Sequence, residues 1–325
     1  MQRRHLLAAA AAWGACLLPA RLLAQDPASW PTRPLRMLVG SAPGGGTDAM
    51  ARAVADRLAP LLKQPVLVEN RPGVSNTMAV DVTAKSTDGH TMVMGVVTAH
   101  AIAPHLLKLG YDNNKDLVPV GFVGSVPNVL VVGNSVPANS VAELVALAKK
   151  QPGQINFASS GTGSTQHIAA EVFKDAAGIA ITHVPYKGSA GALVDLVSGQ
   201  VQMSFDTMPS VIGQIKAGKL RALAVTSPQR NPQLPQVPTM AEAGLPAVAI
   251  SAWYGIYMPA ATPKAVQQKL HDEVNKVLAM AETKARLEAV GAELRPMSQA
   301  DFGAFHLAEY QRFGEIIRKN DIKLD

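Results

Sequence analysis

Two glycine-rich segments constrain the fold of this chain more than any other feature. Residues 41–47 and 159–164 each follow a short apolar run with β character and precede a run of helical periodicity. A strand, a loop and a helix in this order, repeated along a chain, are typical of parallel α/β sheets. We therefore predict a parallel, doubly wound α/β fold. Both loops should lie at the carboxyl ends of their strands, where open sheets bind ligands.

The apolar pattern divides the chain into two similar α/β units and a helical C-terminus. The strands predicted in the first unit span 35–39, 66–69 and 91–97, and its helices span 48–62, 74–86 and 101–109. Apolar β-runs continue over 120–132. The strands predicted in the second unit span 155–158, 181–184, 201–205 and 220–226, and its helices span 141–150, 166–176 and 190–197. The C-terminal part has a strand at 253–258 and helices at 264–279, 282–290 and 299–320.

Chain length and two crossings between the units predict two lobes. A chain of 325 residues suggests about two domains. The chain should cross near 122–129 and again near 248–257, which makes the first domain discontinuous. The predicted domains are therefore 25–125 together with 252–325, and 126–251. A cleft between two such domains is a common place for a small-molecule site.

Composition removes several classes of function. The apolar fraction of 48% and the charged fraction of 17% exclude a disordered protein. The formal charge is +6, but no basic run is interleaved with aromatic residues, so we predict no nucleic-acid partner. Cys16 is the single cysteine. An intrachain disulfide and a cysteine-rich zinc or iron–sulfur site are therefore excluded.

The first 24 residues have the three parts of a secretory signal. Arg3 and Arg4 form a charged head, residues 6–20 are an uncharged apolar run, and the segment ends at Ala24. The apolar run is shorter than the roughly 20 residues of a membrane-spanning helix. We predict a signal peptide at 1–24 and a periplasmic mature protein. Export by the general or the twin-arginine route, an uncleaved anchor and a lipid on Cys16 all stay open.

The first glycine-rich loop is a candidate anion site. Glycines let the backbone approach a ligand, and a helix N-terminus favours a carboxylate or a phosphate. Thr47 and Asp48 can also cap the following helix, which is a purely structural role. The candidate ligand-binding residues are Pro43, Gly44, Gly45, Gly46, Thr47 and Asp48.

The second loop repeats this chemistry in the second unit. Its candidate ligand-binding residues are Ser160, Gly161, Thr162, Gly163, Ser164 and Thr165. Ser189 is predicted to cap a nearby helix, and Tyr186 is placed to close over a ligand. Asp206 ends a predicted strand and should point into the same cleft, where a carboxylate would hold an amide, hydroxyl or ammonium group. His100 and His167 lie near predicted loops and are candidates to line the cleft.

Missing motifs argue against catalysis. The chain has no G-x-S-x-G elbow, no lysine after a phosphate loop, and no helix-spaced histidine pair beside an acid. We therefore predict no metal and no cofactor. An alternative stays open, because Gly44, Gly46 and Ala49 with Glu69 satisfy a dinucleotide fingerprint, which would make the protein an exported NAD(P)-dependent oxidoreductase. Pro43 within the turn argues against that alternative.

An ordered set of short motifs resembles a known family. These motifs occupy 42–48, 69–73, 98–102, 111–112, 115–120, 159–164, 184–188, 205–206, 238–239 and 242–244. Together they make the chain from 31 to 325 resemble the tripartite tricarboxylate transporter receptors, also called the Bug family of periplasmic solute-binding proteins.

The resemblance implies a two-lobed, type II-like Venus-flytrap fold without catalytic activity. It implies a receptor that captures a di- or tricarboxylate, an amino acid or an aromatic acid and delivers it to membrane permease subunits or to a sensor. By motif match, the loops at 43–47 and 161–165 would hold carboxylates, the first partly through waters. Thr98, His100, Tyr186 and Asp206 would line the cleft. We expect a monomer.

One segment departs from the family pattern. After Arg71, Pro72 and Gly73 the family usually runs Ala-Gly-Gly-Asn, whereas the run here is Val-Ser-Asn-Thr at 74–77. The bulkier side chains are predicted to narrow or re-polarise one wall of the cleft.

Overall fold

The computed structural model describes residues 29–44, 46–186, 188–289 and 291–323. The predicted signal at 1–24 lies outside the described residues, as do Gly45 and Lys187. The secondary-structure elements all belong to one compact unit, Pro31–Asp325.

The strands of the described part run through both halves of the chain. They are β1 (Leu35–Val39), β2 (Val66–Asn70), β3 (Thr91–Val96), β4 (Leu117–Gly133), β5 (Ile155–Ser159), β6 (Ile181–Pro185), β7 (Met203–Thr207), β8 (Leu220–Val225) and β9 (Ser251–Pro259).

The helices alternate with these strands and then form the C-terminus. They are α1 (Gly46–Leu62), α2 (Thr77–Ala84), α3 (Ala103–Leu106), α4 (Val141–Lys150), α5 (Thr165–Ala177), α6 (Ser189–Ser198), α7 (Met208–Lys216), α8 (Lys264–Ala279), α9 (Ala281–Ala289) and α10 (Gln299–Lys319). A 3₁₀ turn, Val74–Asn76, precedes α2, and a π-helical turn, Thr98–Ile102, precedes α3.

The strands form a mixed sheet rather than the parallel sheet predicted from the sequence. Its order is β2-β1-β3-β9-β4-β7-β5-β6, and β8 also pairs with β4. Within the first half, β1 is parallel to β2 and β3, and within the second half β5 is parallel to β6 and β7. The prediction is wrong for β4 and β9, because these crossing strands run antiparallel to their neighbours.

The long strand β4 joins the two halves. Residues 117–127 pair with β9, and residues 128–133 pair with β7 and β8. One continuous strand thus contributes to both sheet halves and joins them in a two-lobed α/β fold. The boundaries at 25–125 with 252–325 and at 126–251 stay a prediction.

Local sequence accounts for the elements that frame the loops. Apolar side chains at helical spacing bury one face of α1 against the sheet, each contributing about 1.5–3 kcal/mol; they are Met50, Val54, Leu58 and Leu62. The Ser140 hydroxyl accepts a hydrogen bond from the Glu143 N–H and so caps α4. Helices α4 and α8 have the predicted bounds. The unpredicted α7 starts at Met208 and has Pro209 as its second residue, and a proline is tolerated in the first turn of a helix.

The predicted helix at 74–86 is shorter than expected. Ser75 has φ 51° and Asn76 has φ 63°, so both lie in the left-handed region. A helix cannot pass through two such residues. The regular helix therefore begins at Thr77 and ends at Ala84.

Candidate functional site

Three predicted ligand segments of the second lobe converge at one edge of the sheet. Strands β5, β6 and β7 are parallel, so their carboxyl ends lie side by side. The loop after β5 is joined to the loop after β6 by hydrogen bonds from Tyr186 N–H to the Ser159 carbonyl, 3.0 Å, and from Gly188 N–H to the Ser160 carbonyl, 3.1 Å. The structure thus brings the second glycine-rich loop, the 186–189 turn and the end of β7 together.

Asp206 is the centre of this group. Its side chain is buried, and Oδ1 accepts hydrogen bonds from Gln166 Nε2 at 3.0 Å, Ser189 Oγ at 2.8 Å and Thr207 N–H at 2.7 Å. Burial raises the pKa of the Asp206 carboxyl above its usual value, although these donors act in the opposite direction. Asp206 therefore holds three donors from three elements in fixed positions.

Gln166 connects Asp206 to the second loop. Its Oε1 accepts a hydrogen bond from Ser160 Oγ at 2.6 Å, and its Nε2 also donates to Ser189 Oγ at 3.2 Å. Sequence reasoning missed Gln166 as a site residue. A polar side chain in the first turn of a helix that is otherwise buried was the signal that could have found it.

Ser189 has a different role from the predicted one. The residue before α6 in the N-cap position is Gly188, and no side chain caps the helix. The Ser189 hydroxyl instead donates to Asp206. The capping prediction is wrong because Ser189 is already the first residue of α6, one position after the N-cap, where a side chain does not accept from the N–H groups that start the helix.

The backbone of the second loop presents donors. Gly161 has φ 135° and Gly163 has φ 76°, conformations that suit glycine. Ser164 caps α5 by accepting a hydrogen bond from His167 N–H at 3.3 Å. Among the described residues no acceptor is bonded to the N–H groups of Thr165 and Gln166, the first two of α5. These groups suit an anionic ligand.

The first loop is held by its own carboxylate. Asp48 is buried and accepts hydrogen bonds from Gly44 N–H, Arg52 Nε and Asn70 Nδ2, each at 2.9 Å. Burial by itself raises the pKa of Asp48, but these hydrogen bonds outweigh it and hold the pKa below its usual value. Asn70 Nδ2 also donates to the Ser41 carbonyl at 3.0 Å. Asp48 therefore fixes the shape of the loop and is already neutralised by Arg52.

Other predicted residues of the first lobe have varied surroundings. Pro43, Gly44 and Gly46 are exposed, Thr47 is buried, and Thr98 is half-buried where β3 ends. The exposed backbone of the loop, rather than its side chains, is what it offers to a ligand.

Tyr254 is a site candidate that the sequence did not reveal. A Cβ at Gly46 would lie 3.3 Å from the Tyr254 hydroxyl, so this hydroxyl stands beside the start of α1. Burial raises the pKa of Tyr254 to about 12, which keeps it protonated at neutral pH. The hydroxyl has no hydrogen bond to a described residue. Its position on β9, far along the chain, hid it from local motif reasoning.

His100 belongs to the core and not to the cleft wall that was predicted. Its side chain is fully buried, its ring stacks on Tyr257 with 3.8 Å between centroids, and its Nδ1 lies 2.8 Å from Asn113 Oδ1. Burial, with a smaller effect of His306, lowers the pKa of His100 to about 3, so the ring is neutral. The prediction placed His100 near a loop, whereas the residue lies in the π-helical turn and its ring packs among buried side chains.

Tyr186 is anchored rather than free to swing. Its hydroxyl donates to Asp195 Oδ2 at 2.6 Å, and burial together with this carboxylate raises the pKa of Tyr186 to about 12. The half-buried ring can line a ligand site, but its hydroxyl is committed to α6.

The geometry does not support the dinucleotide alternative. Glu69, which would bind a ribose hydroxyl, makes a two-pronged pair with Arg36, with distances of 2.8 and 2.9 Å. Hydrogen bonds from Arg36 lower the pKa of Glu69. Its carboxylate is thus already occupied within the sheet.

The described residues contain neither a metal-binding cluster nor a membrane-spanning helix. In the described ranges, no group of three or more His, Cys, Asp or Glu side chains could hold a metal ion. Nor does any helix there have the length and hydropathy to cross a membrane. A surface cavity of about 630 Å³ lies between the start of α4, α7 and β8, and none of the predicted ligand residues lines it.

Comparison with known proteins decides the family. Residues 50–322 match the tripartite tricarboxylate transporter family receptor. The chain belongs to this receptor family. Protein BugT of Bordetella pertussis is 38% identical to it over 302 residues, which are 91% of this chain and 92% of BugT.

Solved receptors share the fold over nearly the whole chain. A protein of R. palustris with adipate is 36% identical, with a TM-score of 0.83 over 91% of this chain and all of that one. MatC from Rhodopseudomonas palustris, with bound malate, is 30% identical, with a TM-score of 0.78 over 89% of this chain and all of that one. Both neighbours hold small dicarboxylates, so the receptor family binds small carboxylated solutes.

Proposed function

We propose that this protein is a periplasmic, non-enzymatic receptor that captures a small organic carboxylate between its two lobes. The ligand would be a di- or tricarboxylate, an amino acid or an aromatic acid. The observation that carries the proposal is the buried network of Ser160, Gln166, Ser189 and Asp206 beside the unbonded N–H groups that start α5. The predicted signal at 1–24 supports export.

The second lobe would bind one carboxylate group directly. Two N–H groups at the start of α5 and the positive end of the helix dipole favour a negative charge. The half-buried Thr162 adds a hydroxyl within the same loop. Because Asp206 is itself negative when ionised, it would select ligands that carry a hydrogen-bond donor beside the carboxylate.

The first lobe would bind the remainder of the ligand through backbone and water. The Asp48 carboxylate is hydrogen-bonded within its own loop. The exposed backbone near Gly44 and Gly46 would therefore make the direct contacts with an anion. The Tyr254 hydroxyl is a further donor beside this backbone. A ligand held by both lobes would stabilise a closed arrangement, and the closed form would deliver it to membrane permease subunits or a sensor.

A panel of organic acids tests the proposal by thermal shift and calorimetry. A true ligand at about 100 times its Kd adds roughly 2.7 kcal/mol to the free energy of unfolding. We expect at least one carboxylate to do this, and NAD and NADP to have no effect. Stabilisation by NAD with no response to any acid would contradict the proposal.

Two matched capping variants separate binding from folding. Ser164→Ala and Ser140→Ala each remove one N-cap and should each cost about 1 kcal/mol of stability. Only Ser164→Ala should also weaken carboxylate binding, because only its helix faces the ligand. Equal carboxylate affinity in the two variants would show that the second loop has a structural role and does not bind the ligand.

Asp206→Asn tests the selectivity role of this carboxylate. The variant keeps the shape of the side chain but removes its charge. Ligands with an ammonium group should lose affinity, whereas plain dicarboxylates should lose less or gain. An equal loss for both classes would remove Asp206 from the selectivity of the site.

A further inference from the structure

Ser75 and Asn76 occupy backbone conformations that ordinary residues avoid. Their φ, ψ pairs are 51°, 31° and 63°, 10°, so two consecutive non-glycine residues are left-handed. Such a conformation costs of order 1 kcal/mol or more for each residue, although asparagine tolerates it better than most. These are the two positions at which the family pattern given above usually has Gly-Gly.

The strained turn is pressed against the end of β1. A Cβ at Gly40 would lie 2.4 Å from the Asn76 carbonyl oxygen and 2.6 Å from the Asn76 Cβ. Gly40 therefore has no space for a side chain, and Asn76 sits directly on the backbone that leads into the first loop. The next residue, Ser41, has a buried Oγ that makes no hydrogen bond among the described residues.

The same turn also touches the end of β3. The 3₁₀ turn, Val74–Asn76, packs against the π-helical turn that begins at Thr98. Strands β1 and β3 are parallel neighbours, so these turns share the carboxyl edge of the first lobe with the 41–47 loop. Ser75 and Asn76 therefore lie at the same edge of the sheet as the first-lobe ligand site in the proposed function.

Three polar side chains at this edge have no hydrogen-bond partner among the described residues. Ser75 and Asn76 are half-buried, and their side chains make no hydrogen bond to a described residue. With Ser41 Oγ they supply two hydroxyls and one amide. A buried hydroxyl without a partner is costly, and a ligand that supplies the partner recovers that cost.

We propose that Ser41, Ser75 and Asn76 form a specificity wall that selects carboxylates with a hydroxyl substituent over the unsubstituted acid of the same length. The inference rests on the proposed function and names the ligand class of that site. A hydroxyl both donates and accepts, which matches the amide of Asn76 and the hydroxyl of Ser41. A methylene in that place would leave these groups unsatisfied.

Glycine substitutions test the wall without harming the backbone. Glycine accepts positive φ freely, so Ser75→Gly and Asn76→Gly should fold and gain thermal stability. Calorimetry on the pairs malate and succinate, 2-hydroxyglutarate and glutarate, and mandelate and phenylacetate then measures selectivity. We expect the wild type to favour the hydroxy acid in at least one pair, and Asn76→Gly to reduce that preference about tenfold.

Lys63→Gly is the matched control. Lys63 is exposed at the end of α1 and has φ 54°, so its replacement relieves the same kind of strain away from the ligand edge. This variant should gain stability and keep the wild-type preference.

The outcomes separate this inference from the proposed function. An unchanged preference in Asn76→Gly and Ser75→Gly, or no preference for any hydroxy acid in a wild type that binds carboxylates, would overturn the specificity wall alone. A wild type that binds no acid of the panel would overturn the proposed function itself.

Discussion

The two glycine-rich loops look alike in sequence and differ in how their polar side chains are used. In the first loop, the Asp48 carboxylate accepts hydrogen bonds from Gly44 N–H, Arg52 and Asn70. These bonds hold the loop in shape, so the carboxylate has no role left in contacting a ligand. In the second loop, the Ser160 hydroxyl donates to Gln166 at the start of α5, and the Gln166 amide donates in turn to Asp206 on β7. A strand–glycine–helix pattern therefore predicts a place for a ligand, but distant partners decide whether backbone or side chains contact it.

The largest effect should follow from breaking the outward network of the second loop. Gln166→Leu leaves Asp206 and Ser160 without their shared partner, so we expect a loss of about 1–3 kcal/mol in the free energy of unfolding. Carboxylate affinity should fall about 100-fold, measured by calorimetry. Gln154→Leu, in an exposed turn, is the control and should change neither quantity. Wild-type affinity in Gln166→Leu would refute the contrast between the loops.

Removing the hydrogen bonds that Asp48 accepts within the first loop should lower the free energy of unfolding more than it lowers carboxylate affinity. Asp48→Ala leaves three donors unpaired, and we expect a loss of about 1–3 kcal/mol in a denaturant titration. Carboxylate affinity should fall about tenfold, because the loop backbone loses its shape. Asp56→Ala, on the same helix, removes an exposed ion pair with Arg286 and should cost under about 1 kcal/mol. A larger loss of carboxylate affinity in Asp48→Ala than in Gln166→Leu would contradict the view that the side chains of the first loop shape the loop and those of the second loop serve the ligand.

Acid should weaken the first lobe through its buried histidines. Burial lowers the pKa of His100 to about 3 and that of His306 to about 4, from 6.5. Their contribution to stability is present above pH 6.5 and is lost as the pH falls toward these values, since the unfolded chain binds the protons first. We expect a loss of up to about 2 kcal/mol per histidine between pH 6.5 and 5.

Chemical denaturation at pH 7, 6 and 5 measures this loss. His306→Asn should flatten the dependence of stability on pH, whatever its stability at pH 7. A wild type with constant stability from pH 7 to 5 would show that the two rings titrate normally.

The smallest effect concerns the hydroxyl beside the first loop. Tyr254→Phe removes one donor next to Gly46 and keeps the packing of the ring. We expect a loss of carboxylate affinity of about threefold to tenfold, with a change in stability under about 1 kcal/mol. An unchanged carboxylate affinity in Tyr254→Phe would show that the Tyr254 hydroxyl does not contact the ligand.

The sequence was informative wherever the determining signal was local. The apolar periods predicted β1, α4 and α8 with their observed bounds, and the Ser140 cap marked the start of α4. The two glycine-rich loops were also placed correctly at strand ends. Hydrogen bonds and contacts between residues far apart in the chain could not be predicted from the sequence. The roles of Ser189, Gln166 and Tyr254 depend on β7, α5 and β9 meeting other elements in space.

Backbone conformation was the other source of error. The run at 74–77 is made of residues with low helix propensity, and the left-handed φ values of Ser75 and Asn76 show that the regular helix starts later, at Thr77. His100 was misplaced for a related reason, because it was predicted near a loop and lies instead in the π-helical turn, Thr98–Ile102, with a buried side chain.

A crystal structure with the acid that gives the largest thermal shift tests the central claim most directly. The account predicts a ligand carboxylate within hydrogen-bond distance of the Thr165 and Gln166 N–H groups, next to Asp206. An acid bound elsewhere, such as in the cavity between α4, α7 and β8, with this network unoccupied, would contradict it.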